Sequence, residues 1–139
     1  MIVLHRFALA SVAVGLLAFG AFFCVDGRSQ ASAASADGKT VYGANCASCH
    51  GATGAGIPGT FPPLAKNPDV TGNAGKVIHI LKNGLTGALK VNGKTYNGQM
   101  PAWKASLSNA EIAAVVSYVR TSFGNKASKV TEKQVAAAK

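Results

Sequence analysis

Acidic side chains are scarce in this chain. Five Asp and Glu stand against fourteen Lys and Arg, which leaves a formal charge of +9 on 139 residues. Cysteine is scarcer still, at three, and tryptophan occurs once. A zinc site built on Cys46 and Cys49 would need two further ligands, and only Cys24, His5 and His79 remain, the first two in an N-terminal apolar region. A thioredoxin-like dithiol would need a surrounding βαβ pattern, and none is visible. With Cys24 set apart in that N-terminal region and Cys46 and Cys49 committed to one motif, no thiol pair is left for a structural disulfide. The basic balance suggests nucleic acid as a partner. The lysines, however, are scattered singly from Lys39 to Lys139, without an aromatic-interleaved patch or a nucleic-acid motif. The glycine-rich run GATGAGIPG at 51–59 lacks the GK[ST] ending and the preceding strand of a phosphate-binding loop. No internal repeat is present.

What is present is the pentapeptide Cys46-Ala47-Ser48-Cys49-His50. C-x-x-C-H is the attachment signature of c-type haem. On a helix, Cys46 and Cys49 lie one turn apart on the same face, so two thiols can each add across a haem vinyl group. His50 follows at once, and its imidazole can reach the iron. One short turn supplies two covalent tethers and an axial ligand.

The front of the chain points to export. Phe7 to Val25 carry no charge, His5 and Arg6 precede them, and Asp26-Gly27-Arg28 ends the run. Ala31-Ser32-Ala33 and Ala34-Ser35-Ala36 offer small-residue exits, so residues 1–36 read as a secretory signal cleaved after Ala33 or Ala36. The rival is an uncleaved anchor, which would bring membrane association through 7–25. Gly15, Gly20 and the alanine-rich composition make the weaker case for an anchor. Cleavage leaves about 103 residues with a formal charge of +8, enough for one small domain with a limited core of its own. A buried porphyrin would supply the missing apolar mass.

Along the rest of the chain, Asp37 to Cys49 reads as a first helix and Gly75 to Asn83 as a second, ended by Gly84. In the second, Val77, Ile78, Ile80 and Leu81 share a side, which turns His79 toward water and away from any ligand role. Phe61-Pro62-Pro63-Leu64 is a rigid extended stretch, because two prolines cannot sit within a helix. Asn92-Gly93 between Leu89, Val91 and Tyr96 reads as a two-residue turn with short strand-like arms, or as irregular loop. Ser108-Asn109-Ala110-Glu111 is a capping box, and behind it Ile112, Val115, Val116, Val119 and Phe123 form one apolar stripe up to Gly124. Residues 125–139 are polar, basic and alanine-rich, and read as a frayed or flexible extension.

A haem held by one histidine has an open distal position, and its occupant decides between electron carrier and catalyst. Beyond the export segment there is one methionine, Met100, in Tyr96-Asn97-Gly98-Gln99-Met100-Pro101. Gly98 relaxes the backbone before it and Pro101 stiffens the chain after it, so a loop can present the thioether to the iron. The alternative is a core methionine filling a gap.

Together these features resemble the bacterial class I (monohaem, His/Met-ligated) cytochromes c. The matching elements are CASCHG at 46–51, FPPL at 61–64, Met100-Pro101 followed by Trp103, and the helix at 108–123, spanning 37–124. The resemblance implies an all-α fold, three to four helices around one covalent haem c with room for a short hairpin, in which the first and last helices cross. Gly38, Tyr42 and Tyr118 match the small and aromatic positions of that crossing. The resemblance also implies that a proline carbonyl, from Pro62 or Pro63, accepts the Nδ1 proton of the ligating His50. Trp103 matches an aromatic residue near a haem propionate, with ordinary core packing as the alternative. The expectation is a periplasmic single-electron carrier and not an enzyme. Its partners would be redox proteins with acidic docking faces: a dehydrogenase donor, and an oxidase or reductase acceptor. The alternatives are a haem c subunit of a membrane-associated dehydrogenase or oxidase complex and, with an open iron, a peroxidase-like or gas-binding protein.

Overall fold

The computed structural model describes residues 36–139; the expected signal or anchor at 7–25 and the expected cleavage site after Ala33 lie outside them. The described chain runs through α1 (Gly38–Asn45), α2 (Ala47–His50), α3 (Pro68–Thr71), α4 (Ala74–Asn83), β1 (Leu89–Val91), β2 (Lys94–Tyr96), α5 (Asn109–Thr121) and α6 (Glu132–Ala137). None of these helices is long and apolar enough to cross a membrane.

The expected first helix is present but divided. Asp37 caps α1, its carboxylate accepting from the backbone N–H groups of Lys39 (3.3 Å) and Thr40 (3.0 Å). The helix then breaks at Cys46, and α2 restarts the turn that carries the motif. α1 docks on α5 through Gly38. A Cβ built there would overlap the carbonyl of Ala114 and lie 2.8 Å from Tyr118 Cβ, so only glycine permits the approach. Tyr42, Tyr118 and Phe123 close the crossing as an aromatic triad, with ring centroids 5.1–5.6 Å apart.

α5 starts at the expected capping box. The Ser108 side chain accepts from the Glu111 N–H at 3.2 Å, and Glu111 accepts from the Ser108 N–H at 2.8 Å. Ile112, Val115, Val116 and Val119 are buried along it. The helix stops before Phe123, whose φ of 57° and that of Gly124 (77°) reverse the chain. α4 has the expected register, capped by Asn73, with Ile78 and Leu81 buried and His79 exposed. β1 and β2 pair antiparallel as Leu89↔Tyr96, Lys90↔Thr95 and Val91↔Lys94. Asn92 and Gly93 both have positive φ, as a type I′ hairpin turn requires.

Two further features depart from expectation. α3 had no periodic signal, being only four residues long; Asn67 caps it and Pro68 fills its first position, where a missing N–H costs nothing. The larger correction concerns 125–139. That segment folds back and ends in α6, which has its own capping box from Thr131 and Gln134. Val135 is fully buried and Val130 nearly so, and Ser117 Oγ bonds both the N–H and the carbonyl of Val130. Lys82 donates to the carbonyls of Val135 and Ala138, so a helix C-terminus receives the cation that its dipole favours. Two isolated valines in a basic, alanine-rich run leave too little periodicity to reveal this docking.

Candidate cofactor site

The core does not close completely. Between α2, the 61–67 loop, α4, the hairpin, the 98–103 loop and α5 lies a cavity of about 340 Å³. That is within the range of cofactor pockets, which run to about 300–1,000 Å³. Its wall is mostly apolar, and Cys46, Cys49, His50, Met100 and Trp103 all line it.

On one side α2 carries the motif. The Cys46 and Cys49 thiols are unpaired and half-buried. Burial, and secondarily the neighbouring Cys49, pushes the Cys46 thiol up to about 11. His50 is only 8% exposed. Its Nδ1–H donates to the Pro62 carbonyl at 2.9 Å, whereas the Pro63 carbonyl accepts from Asn67 Nδ2 at 2.7 Å. With Nδ1 engaged, Nε2 is the nitrogen left as a donor to a metal. Burial lowers the imidazole's proton affinity, partly opposed by the Pro62 bond, so the ring favours the neutral form that ligates. The loop carrying Pro62 passes close to Gly56, where a Cβ would lie 2.7–2.8 Å from the Pro62 carbonyl group. Gly56 has φ +70° and its N–H donates to the His50 carbonyl at 2.8 Å.

Buried polar groups fix this wall; sequence reasoning singled out Tyr42 for the helix crossing but not Asn67, Asn125 or Arg120. Asn125 Nδ2 donates to the carbonyls of Leu64 and Val119, both at 2.8 Å, and its Oδ1 accepts from the Asn67 N–H at 3.3 Å. Tyr42 Oη donates to the Gly51 carbonyl at 2.6 Å, and burial pushes that phenol up to about 12. Arg120, 3% exposed, holds the carbonyls of Val70 and Gly72. The one available signal was polarity against an apolar run: Arg120 interrupts the stripe of α5, and Asn125 follows its end.

On the other side the 98–103 loop is attached through backbone. Met100 and Leu85 exchange N–H···O bonds of 2.9 and 3.0 Å, and the Trp103 N–H donates to the Leu81 carbonyl at 3.0 Å. Trp103 is half-buried, lining the cavity and also packing against the core. His79 is outside the cavity lining; its Nδ1 bonds the Lys139 carbonyl at 2.8 Å.

An apolar cavity with two free thiols, a neutral imidazole oriented through Nδ1 and a thioether in its wall fits a covalently tethered haem. Sequence comparison agrees. The family model described as Cytochrome c matches residues 35–123. A cytochrome c-552 of Thermus thermophilus is 44% identical over 96 residues, which cover 66% of this chain and 64% of that protein. The cytochrome c subunit of a quinone alcohol dehydrogenase from Gluconacetobacter polyoxogenes is 39% identical over 101 residues, 71% of this chain but 21% of the subunit. The cbb3-type cytochrome c oxidase subunit FixP of Bradyrhizobium diazoefficiens is 42% identical over 93 residues, 66% of this chain and 31% of the subunit. By cavity, fold and sequence, the chain belongs to the cytochrome c family, and its cofactor is covalent haem c.

Proposed function

We infer that this protein is a single-electron shuttle working outside the cytoplasm, with His50 and Met100 as the two axial ligands. Cys46 and Cys49 would tether the haem, His50 would hold the iron through Nε2, and Met100 through its sulfur. When bound, haem c supplies the one-electron ferric/ferrous couple. The observation that carries the reading is that Met100, the one methionine among the described residues, lines the same cavity as the C-x-x-C-H segment. The Pro62 carbonyl holds the His50 proton on Nδ1 and keeps the ring fixed. A thioether partner favours the reduced iron relative to a second imidazole, and the apolar wall favours it further. None of the described residues is needed as an acid or base.

Residues 1–36 serve, on this reading, as the export signal. Lys39, Lys90, Lys94 and Lys104 are exposed, and Lys76–Asp69 (2.7 Å) is the one ion pair among the described residues. The surface therefore stays strongly basic, suited to brief encounters with acidic faces of donor and acceptor proteins. The decisive experiment is optical. The oxidised protein should show the weak sulfur-to-iron charge-transfer band, and Met100→Ala should lack it. A band that survives Met100→Ala, or ready carbon monoxide binding by the unmodified protein, would overturn Met100 ligation.

A second reading is a fixed subunit that passes electrons within a complex. The similar dehydrogenase and oxidase subunits favour it. Mass spectrometry of the native N-terminus separates the two: a start near Ala34 or Asp37 supports the shuttle, and an intact 7–25 segment supports the anchored subunit.

A further inference from the structure

Arg120 is the one buried cation among the described residues, at 3% exposure, and no carboxylate meets it. Its Nε donates to the Ser128 carbonyl at 2.9 Å, and its Nη1 to the carbonyls of Val70 (2.6 Å) and Gly72 (3.1 Å). None of the acidic residues described bonds to it, and Asp69, which lines the cavity beside Val70, is balanced there by Lys76. Asp37 and Glu111 cap their helices, and Glu132 is exposed in the first turn of α6. Peptide carbonyls meet Nε and Nη1 but leave the net charge in place. A guanidinium does not shed its proton inside proteins, so the charge is permanent.

Its position gives that charge a use. The residue before it, Val119, lines the cofactor cavity, and so does Val70, whose carbonyl it grips. The guanidinium thus lies directly behind the cavity wall, in a medium where a charge acts over longer range than it does in water. The carbonyls of Ser128, Val70 and Gly72 call for hydrogen-bond donors, but that role by itself does not call for a net charge.

We propose that Arg120 is an internal positive charge that raises the reduction potential of the cofactor held in this cavity. Losing an electron adds one positive charge to the cavity, and a fixed cation behind the wall opposes that change. The proposal rests on the electron-carrier reading but does not depend on which residue fills the distal position. Surface lysines act through water and fade with salt; Arg120 is shielded from salt by its burial.

The test is spectroelectrochemistry on the holoprotein and its variants, with the charge-transfer band recorded alongside. Arg120→Met should lower the midpoint potential, and the drop should persist at about 1 M salt, where the Debye length is about 3 Å. Arg120→Lys, measured near neutral pH, should recover most of the difference because it keeps the charge while losing the fork of hydrogen bonds. If Arg120→Met does not accumulate as holoprotein, Arg120→Gln, which retains a donor for the Val70 carbonyl, carries the same comparison. Equal potentials for the neutral variant and the unmodified protein would overturn the proposal. So would an Arg120→Lys drop as large as that of the neutral variant, or a drop that vanishes in high salt. Absence of the charge-transfer band from the unmodified protein would instead defeat Met100 ligation and leave the Arg120 comparison readable.

Discussion

The two walls of the cavity are built differently. The histidine wall is bound by side chains, locally from His50 to Pro62, Asn67 to Pro63 and Tyr42 to Gly51, and across the fold from Asn125 to Leu64. The methionine wall is bound through backbone, by the Leu85–Met100 pair, the Trp103–Leu81 bond and the Gly98–Thr60 bond, with Gln99 and Pro101 exposed on either side of the methionine. Side chains hold the first wall to itself and, through Asn125, to the turn after α5, whereas peptide groups join the second to the end of α4 and, through Gly98, to Thr60. Side chains thus hold the wall where the covalent tethers attach, and the sulfur ligand we propose sits on the wall held by peptide groups.

Removing the anchors of the first wall should have the largest effect. Asn125→Leu strands the Leu64 and Val119 carbonyls and leaves the Asn67 N–H without its partner. Each unsatisfied buried group costs about 1–3 kcal/mol, so thermal unfolding should register a loss of about 3 kcal/mol or more. Gln99→Ala on the opposite wall, being exposed, should change stability by less than about 0.5 kcal/mol. If the two variants melt alike, the asymmetry is wrong.

Val135→Ala comes next. The side chain is fully buried, and deleting its methyl groups should cost about 2 kcal/mol in denaturant unfolding. An unchanged midpoint would mean that α6 contributes nothing to the domain. Leu85→Pro sharpens the contrast differently, because it deletes the N–H that donates to the Met100 carbonyl. The charge-transfer band should weaken at denaturant concentrations where far-UV circular dichroism still reports folded helices. Simultaneous loss of both signals would show the walls to be one cooperative unit.

The smallest effect concerns the helix caps. Hydrogen bonds from Thr40 hold the Asp37 carboxyl below its ordinary 3.8, and bonds from Ser108 hold Glu111 below its ordinary 4.5. A carboxyl that is harder to protonate when folded stabilises above its unfolded value, and that contribution disappears as pH falls through the folded one. Asp37→Asn and Glu111→Gln should therefore melt slightly below the unmodified protein at neutral pH and converge with it in acid. A gap that widens on acidification would reverse the assigned direction.

What the sequence made legible was local chemistry. The C-x-x-C-H turn, the Ser108–Glu111 box, the Asn92-Gly93 turn and the register of α4 each follow from neighbouring residues, and each occurs at the expected place. Met100 and Trp103 do line the cavity, but the bond to Leu85 that sets the methionine's backbone needs two distant segments to meet. The same limit left Pro62 and Pro63 equivalent in sequence: they differ only in which carbonyl faces His50 and which faces Asn67. Residues 125–139 misled for a related reason. Their order comes from Val135, Val130 and the carbonyls gripped by Lys82, contacts that composition does not encode.

The contact between Gly38 and Ala114 has a kinetic consequence. It joins the first and last helices of residues 37–124, so the attachment turn, the prolines, the hairpin and the methionine loop all belong to one long loop closed at its base. Closing so long a loop is entropically costly and only weakly sensitive to further lengthening. Once closed, the intervening segments can breathe individually while the base stays shut. A bulkier side chain at residue 38 would act at the seam of that enclosure, slowing its formation from a site far from any ligand.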